Sequence, residues 1–462
     1  MPKLDKGLFI FHRDFRIKDN IGLIELSKLV NKLYVCFIFT PEQVTEKNKY
    51  RSMNSIQFMI ESLEDLEADI QKNGGKLMIF YGESNSIVKG IIRDMEIDIV
   101  AFNKDYTPYA LKRDNNIIEL CKTEKKQCNM YSDYYLYEPG TIKTDSSNVA
   151  YKKYTPFYRA VLNKDVDMPN NKKITNFSNS NDLLGNTTLS NMYKKYAADN
   201  QEILVRGGRK NGLEKLSKAG NNQAEYDEKR DFFKEKTTHL SAYIKFGCVS
   251  IREVYHLFKN KFGIEHGLIR ELIWREFFAH VLYAYPEVVG QSYQPKYRNL
   301  EWENKKDYFN KWKRGETGVP LVDACMREMN STGYMHNRGR MTVASFLIKS
   351  LLIDWRWGEK YFATQLTDYD LASNNGNWQG ISGTGVDMKP YFRDMNPWLQ
   401  SKKFDNDTSY IKKWVPELQS VKPSDIHEWH TSYKKYTDVK YPQPIVDYFK
   451  RKDKMISMYK KA

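Results

Sequence analysis

The first 135 residues alternate short apolar runs with longer amphipathic stretches. The apolar runs are rich in Ile, Val, Phe and Tyr and are predicted to be buried strands, covering residues 7–11, 32–39, 76–81 and 97–102. The stretches between them are predicted to be helices, covering residues 20–30, 52–75 and 84–96. Strands that alternate with helices in this way predict a doubly wound parallel sheet. No Gly-x-Gly-x-x-Gly sequence follows any of the four strands, so a dinucleotide fingerprint is absent.

The strand pattern ends near residue 135. Residues 136–200 are dense in Asn, Ser, Lys and Pro, and we interpret them as a connector with one ordered segment at 151–161. From residue 201 onwards, apolar residues recur at helical spacing. The sequence therefore predicts an α/β + all-α protein. A doubly wound domain spans 1–135, an interdomain linker 136–200 and a helical domain 201–462.

Composition excludes several classes of protein. The chain has 462 residues, of which 41% are hydrophobic and 14% aromatic, so a wholly disordered chain is excluded. No apolar run approaches the roughly 20 residues that span a bilayer, and the N-terminus does not resemble a secretion signal. The five cysteines are scattered, so neither a disulfide framework nor a zinc site is predicted. We expect an intracellular protein, with cytoplasm, nucleus and virion all open.

The net charge of +15 favours a polyanionic partner such as nucleic acid. The chain is also rich in Lys, Asn, Ile and Tyr, a usage that an AT-rich genome would produce without any such partner.

Three polar clusters lie inside stretches that otherwise look like buried helices. In the first, Glu271 shares a helix face with Trp274 and Arg275, and a carboxylate beside a flat aromatic ring suits a base held by stacking and hydrogen bonds. The second is YMHNRGRM at 334–341, and the third is LTDYDLASNNGNWQG at 366–380. The third cluster lacks the late glutamate of an EF-hand, which disfavours calcium. A polar, ring-shaped ligand explains these clusters better.

Taken together, these motifs resemble the flavin-dependent DNA photolyases of the photolyase and cryptochrome family. The resemblance extends over nearly the whole chain, from FHRDFRIKDN at 11–20 to the motifs TTHLSAYIKFG at 237–247, ELIWREF at 271–277 and DYDLASNNGNWQ at 368–379. It implies an α/β antenna domain followed by a helical domain that binds FAD.

The resemblance also implies the residues that bind FAD. Asp370 should meet the edge of the isoalloxazine ring, Asp368 should pair with Arg340, and Asn374 should face flavin N5. The full expected set is Tyr226, Thr237, Thr238, His239, Leu240, Ser241, Arg340, Asp368, Tyr369, Asp370 and Asn374.

The implied activity is the repair of cyclobutane pyrimidine dimers in UV-damaged DNA, driven by blue light. The implied catalytic residues are Glu271, Trp274, Asn337, Met341 and Asn374, and the implied electron-transfer chain is Trp302, Trp355 and Trp378. Contacts with DNA are expected from Arg230, Glu271, Trp274, Arg275, Asn337, Arg338 and Gln400. We expect the protein to act as a monomer, away from membranes. The alternative is a DASH-type cryptochrome with single-strand photolyase activity, or a blue-light flavin photoreceptor.

Four departures from the family pattern bear on this hypothesis. Gly380 replaces a second tryptophan wall, so either Tyr391 or Trp398 fills the gap, or the pocket is wider and prefers single-stranded DNA. Gly339 is typical of the DASH branch, whereas the retained Met341 is not. Tyr109 and Ala110 replace the Asn and Glu of folate-binding enzymes, which disfavours a folate antenna. The antenna chromophore, deazaflavin or folate, or the absence of one, therefore stays open. The His-His pair of (6-4) photolyases is missing, which favours cyclobutane dimers.

Overall fold

The computed structural model describes residues 3–145, 147–179, 185–387 and 390–462. Its N-terminal part contains five parallel strands, which are β1 (Leu4–Phe11), β2 (Val30–Phe39), β3 (Leu77–Tyr81), β4 (Ile99–Asn103) and β5 (Gln127–Tyr131). They form one sheet in the order β3-β2-β1-β4-β5. In this register Phe9 of β1 lies between Val35 of β2 and Ala101 of β4. Because the chain moves outward from β1 in both directions, the predicted doubly wound sheet is confirmed.

Helices cover both faces of the sheet. They are α1 (Ile21–Leu29), α2 (Pro41–Val44), α3 (Met53–Lys72), α4 (Ser84–Asp94) and α5 (Pro108–Thr123). Successive residues of β1 point to opposite faces. Phe9 therefore packs into the core under α1 and α3, whereas Leu8 packs into the core under α4 and α5.

The sequence pattern does not predict β5. This strand reads QCNMY and none of its residues is fully buried, so it contains no continuous apolar run. It pairs only with β4, at the edge of the sheet. Its outer edge has no neighbouring strand, so its side chains stay partly exposed and need not be apolar.

The connector contains two helices, α6 (Tyr154–Leu162) and α7 (Leu189–Tyr196). The prediction of a single ordered segment is therefore wrong. Helix α7 is short and mostly polar, but it buries Leu189, Met192 and Tyr196 in the core that α3 also enters. Residues 180–184 of the connector lie outside the described residues.

The remainder of the chain is helical, as predicted. Its helices are α8 (Arg209–Asn222), α9 (Tyr226–Lys229), α10 (Ser241–Lys245), α11 (Ile251–Phe262), α12 (Gly267–Ala284), α13 (Lys306–Arg314), α14 (Pro320–Thr332), α15 (Asn337–Ser345), α16 (Trp355–Gln365), α17 (Leu371–Ser382), α18 (Pro397–Phe404), α19 (Ser409–Trp414), α20 (Pro423–His427), α21 (Trp429–Ser432) and α22 (Tyr448–Lys460). Across the ranges described, none of the helices has the length and apolar character that crossing a membrane requires.

A buried ion network joins the sheet to the helical part. Arg252 of α11 donates to Asp19 at 2.9 Å and to Asp133 at 2.7 Å, and Arg16 donates to Asp133 at 2.5 Å. All four side chains are less than a tenth exposed. Removing one partner would leave a buried charge uncompensated, so this network fixes how the two parts meet.

Candidate active site

The loop between α16 and α17 places Asp368 at the centre of a polar cluster. Arg340 of α15 donates from Nη2 to both carboxylate oxygens, at 3.2 and 2.9 Å, and Ser241 of α10 donates from Oγ at 2.7 Å. Burial acts to raise the pKa of Asp368, but Arg340, Ser241 and Lys245 together outweigh it and the pKa is lowered. The expected pairing of Asp368 with Arg340 is thus present, and the carboxylate stays ionised.

Asp370 caps the N-terminus of α17 and binds an arginine that follows the first strand of the sheet. Its Oδ1 accepts from the backbone N–H of Ser373 at 3.1 Å, and its Oδ2 accepts from Arg13 at 3.2 Å. Arg13 follows β1, donates to Asp105 at 2.8 Å and lies 4.1 Å from the ring centre of Tyr134. Sequence reasoning did not single out Arg13. The available signal was its position in the FHRDFR motif at the carboxyl end of the central strand, where doubly wound sheets bind ligands.

Ser241, Arg340, Asp368, Asp370 and Asn374 are together called the polar recess, because they form the group of polar side chains that the three predicted motifs bring together. Asn374 lies one turn after Asp370, and its amide donates to the Glu359 carbonyl at 3.2 Å. Solvent reaches 28% of the Arg340 side chain and 15% of Asp370. Burial is nevertheless the largest influence on the pKa of each of these two groups. Charged and polar side chains that keep partial exposure in such a dense environment are of the kind that orients a polar ligand.

The segment from Thr237 to Ser241 forms one wall of the recess. His239 adopts a positive φ of 52°, its ring centre lies 5.0 Å from that of Tyr334, and the Thr237 hydroxyl is 3.4 Å from the Tyr334 hydroxyl. The hydroxyl of Thr238 accepts from the backbone N–H of Leu240 at 3.3 Å. Burial, with Lys215 and Lys236 nearby, lowers the pKa of His239 to about 4, so the ring is neutral.

Three predicted site residues lie elsewhere. The side chain of Leu240 is buried in the apolar core, and the ring of Tyr369 stacks at 6.3 Å on Tyr50. Arg275 lies 4.3 Å from the ring centre of Tyr135, donates to a backbone carbonyl at 3.0 Å and is only 14% exposed. In the free protein the charge of Arg275 is therefore compensated within the protein, and its contact with DNA stays a prediction.

A second group of predicted residues forms a stacking pocket around Trp274. The Trp274 ring lies flat against Tyr154 of α6, with ring centres 3.6 Å apart and planes at 4°. One turn earlier on α12, Glu271 forms an ion pair with Arg230, whose guanidinium lies 5.5 Å from the ring centre of Tyr226. Burial raises the pKa of Glu271, although Arg230 opposes the shift. Tyr154 belongs to the connector and was not predicted.

Two further predicted residues, Asn337 and Met341, lie one turn apart on α15 and retain exposure. The structure also brings Arg338 and Gln400 together at 2.9 Å. Arg338 pairs with Asp231 as well and lies 4.0 Å from the ring centre of Phe404. Its charge is therefore already partly neutralised within the protein.

Comparison with known proteins identifies the family. Residues 8–172 match the profile described as DNA photolyase, and residues 268–461 match the profile described as the FAD binding domain of DNA photolyase. The deoxyribodipyrimidine photo-lyase of Buchnera aphidicola is 34% identical over 482 residues, which cover 99% of each chain. This chain belongs to the DNA photolyase family.

Solved structures of family members have the same fold. The archaeal photolyase of Sulfolobus tokodaii, solved with two FAD molecules, is 38% identical with a TM-score of 0.88, covering 99% of this chain and 100% of that one. The bacterial class III photolyase of Agrobacterium tumefaciens is 30% identical with a TM-score of 0.91, covering 100% of this chain and 98% of that one.

FAD, the cofactor of the DNA photolyase family, fits the chemistry of the polar recess. The recess offers a carboxylate, an amide and an arginine to a polar ring, and hydroxyls along the 237–241 segment. The buried Nδ1 of His239 has no hydrogen-bond partner among the described residues. Lys215 and Lys236 act on the same imidazole, so the surroundings of this orphaned atom are positive, as a diphosphate requires.

The three tryptophans expected to reduce the photolyase flavin lie in the helical part. Trp378 and Trp355 are buried, and Trp302 is partly buried with its ring centre 6.1 Å from that of Tyr459. The ring neighbours of Trp378 are Phe362 at 4.9 Å and Trp312 at 6.4 Å. Trp312 was not predicted, because nothing in its local sequence separates it from an ordinary core tryptophan.

Gly380 leaves a gap where a second aromatic wall was expected. A methyl group built at Gly380 would meet no atom of the described residues within 4 Å. Tyr391 instead stacks on Tyr459 with ring centres 4.8 Å apart, and Trp398 is buried against His430 at 4.7 Å. Of the two alternatives, the structure favours the open gap, since neither ring lies within 4 Å of the position and each is packed against another ring.

A small cavity lies at the carboxyl ends of β1 and β2 in the antenna part. Its volume is about 40 Å³, enough for water but not for a chromophore. The Tyr109 hydroxyl reaches across it to Thr40 at 2.9 Å.

Proposed function

We propose that this chain uses blue light and bound FAD to split cyclobutane pyrimidine dimers in UV-damaged DNA. The observation that carries the proposal is the adjacency of the two sites on α12. Arg275 acts on Asp370 of the polar recess, whereas Trp274, the preceding residue, forms the stacking pocket. A dimer stacked on Trp274 would therefore lie beside the cofactor.

Bound FAD supplies light absorption and the electron that opens the dimer. The protein binds and orients the dimer, which requires the damaged bases to leave the DNA stack; photolyases are a standard example of such base flipping. Trp274 offers the stacking face, and Tyr154 behind it keeps that ring from turning.

Glu271 would hold the dimer by a hydrogen bond. Burial makes protonation of Glu271 easier than for an exposed glutamate, and the protonated acid can donate to a dimer carbonyl. Arg230 limits that shift and keeps the carboxyl group oriented toward the pocket.

The test is repair of an oligonucleotide that carries a single thymine dimer. Purified protein with chemically reduced flavin should restore thymine absorbance under blue light and not in the dark. A protein that binds FAD and leaves the dimer intact under light would contradict the proposal and would favour the photoreceptor alternative.

A matched pair of variants links repair to the pocket. Trp274→Ala should lose binding of the damaged oligonucleotide by about 1–3 kcal/mol, the value of one stacked base. Trp429→Phe, a buried change in another part of the helical region, should leave it intact.

A further inference from the structure

Tyr154, the residue that lies flat against Trp274, is held at both of its ends. Its hydroxyl donates to the backbone carbonyl of Arg270 at 2.9 Å, and its backbone N–H donates to Oδ2 of Asp387 at 3.1 Å. Arg270 lies one turn before Trp274 on α12, so the first bond attaches the Tyr154 ring to the helix that carries Trp274. The second bond attaches the start of α6 to a residue far away in sequence.

The Asp387 carboxylate provides α6 with a cap that the helix lacks locally. The residue before the helix is Lys153, and a lysine side chain has no acceptor for the first N–H groups of a helix. Asp387, 233 positions after Tyr154, supplies that acceptor at the helix end where negative charge is favourable. The backbone N–H of Asp387 also donates to the Lys152 carbonyl at 3.1 Å, so the two segments are joined twice.

Helix α17 leads from the polar recess to Asp387. Asp370 caps the start of this helix, and beyond its end the chain reaches Asp387 through Val386. Val386 is buried in the core that also contains Tyr154, so this short segment is packed where the connector passes. One continuous stretch of chain therefore contributes to the polar recess at one end and supports the stacking pocket at the other.

We propose that Asp387 is a positioning residue for the stacking pocket and acts on Trp274 through Tyr154. The contacts are continuous, since the carboxylate binds the Tyr154 N–H and the centres of the Tyr154 and Trp274 rings are 3.6 Å apart. Tyr154 is only 8% exposed, so a shift of the first turn of α6 moves its ring against Trp274 rather than into solvent. The inference rests on the proposed function in that Trp274 stacks on the dimer.

A double-mutant cycle separates this role from a contribution to stability alone. Asp387→Gly removes the carboxylate and suits the positive φ of 44° at this position, so the backbone bond to Lys152 is kept. It should weaken binding of an oligonucleotide that carries a thymine dimer by about 2- to 10-fold, the equivalent of one net hydrogen bond. In a chain that already carries Trp274→Ala, the same change should have no further effect, because the ring that Asp387 positions is gone.

Asp387→Asn is the rescue variant. Its amide oxygen accepts the same hydrogen bond and asparagine tolerates a positive φ, so it should bind the damaged oligonucleotide as the parent does. The matched control is Asp199→Gly, because Asp199 is exposed, has a φ of 48° and accepts a hydrogen bond from the Tyr193 hydroxyl at 3.0 Å. This control should also bind as the parent. All variants are compared at equal FAD content, and Asp387→Ala replaces Asp387→Gly if the latter takes up no FAD.

Two results would overturn the inference. Parental binding by Asp387→Gly would show that Trp274 keeps its position without the carboxylate. Equal losses from Asp387→Gly in the parent and in the Trp274→Ala chain would mean that Asp387 acts through some other contact. A Trp274→Ala protein that binds the damaged oligonucleotide as tightly as the parent would instead refute the pocket on which the proposed function depends.

Discussion

At the scale of single residues, the open space at Gly380 decides what holds a flipped dimer. Its neighbour on the same face of α17, Gly376, has no such space, because a methyl group there would lie 2.2 Å from the Phe278 ring. These two glycines, one turn apart on the same helix, therefore differ in the space that a side chain would have. Gly376 is required by close packing, whereas Gly380 borders open space where the family resemblance predicts a second aromatic wall.

Gly380→Trp should therefore strengthen binding of duplex DNA that carries a thymine dimer. The gain should be up to about 1–3 kcal/mol, the value of one added stacking surface, because no described atom blocks the new ring. Fluorescence anisotropy with damaged and undamaged duplexes measures it.

The control for this change is Gly376→Ala. It should lower the free energy of unfolding by about 1–3 kcal/mol through overpacking against Phe278, whereas Gly380→Ala should not. Weaker binding by Gly380→Trp would mean that some other group already occupies the gap.

Glu359 gives a prediction about pH. It is 1% exposed, its side-chain partner is the Asn375 amide at 3.4 Å, and burial raises its pKa from 4.5 to about 7. The folded protein therefore holds this proton more tightly than the unfolded chain. The resulting stabilisation is complete below pH 4.5 and is lost as the pH rises to about 7.

Glu359→Gln should remove this loss, because the amide keeps the hydrogen bond and does not titrate. The variant should gain stability over the parent between pH 5 and pH 8, at about 1.4 kcal/mol for each unit by which the pKa is raised. Thermal unfolding midpoints across this range measure the effect, with Glu119→Gln, an exposed change, as control. A parallel pH dependence in parent and Glu359→Gln would rule out Glu359 as the buried titrating acid.

The family resemblance predicted the pairing of Asp368 with Arg340, since both residues lie in motifs that carry it. It did not predict that Arg275 faces inward while Glu271, on the same helix, faces the stacking pocket. That difference depends on which surface each turn of α12 presents to the segment after β5, and such tertiary contacts are not encoded in local spacing. The contribution of Tyr154 was missed for the same reason.

At the scale of elements, strands with continuous apolar runs were predictable and β5 was not. β1 to β4 are buried on both faces, so each is a nearly continuous run of apolar residues that the sequence alone identifies as a strand. The edge strand and the short helix α7 take their stability from partners far away in sequence, which a local pattern does not reveal.

Helices α16 and α17 carry Trp355 and Trp378, and this arrangement predicts the behaviour of light-driven flavin reduction. Trp302→Phe should slow the build-up of reduced flavin under blue light with an external reductant, because the most exposed of the three tryptophans is removed. Repair by protein reduced chemically beforehand should stay nearly unchanged.

Absorption spectra recorded during illumination follow the reduction, and Trp429→Phe is the control for a distant buried tryptophan. If Trp302→Phe, Trp355→Phe and Trp378→Phe all reduce flavin at the parent rate, the chain of three is not the route. Trp312, next to Trp378, would then be the first residue to replace.

At the scale of the whole molecule, the net charge of +15 predicts binding to DNA that weakens steeply with salt. The contribution of each cation depends on its partners in the free protein. Arg338 already pairs with Asp231, whereas Lys402 at the end of α18 is exposed.

Lys402→Ala should therefore lower the slope of log affinity against log salt by about one unit, and Arg338→Ala by less. Binding measured between 50 and 200 mM salt, a range in which such contacts lose much of their affinity, compares the two variants directly. Equal slopes for Lys402→Ala and the parent would locate the DNA path away from α18.

Arg13, which follows the first strand of the sheet, donates to both Asp370 and Asp105, so the helical part depends on the N-terminal part for one of its ion pairs. The helical portion matches a family profile of its own, yet one of its cofactor-facing carboxylates receives its counter-charge from the other end of the polypeptide. A fragment beginning after the connector would lack the ion pair between Arg13 and Asp370, at the place where the flavin ring is expected. Chimeras that exchange the antenna portion between relatives should therefore retain cofactor only when the donor supplies a cation at the end of its first strand.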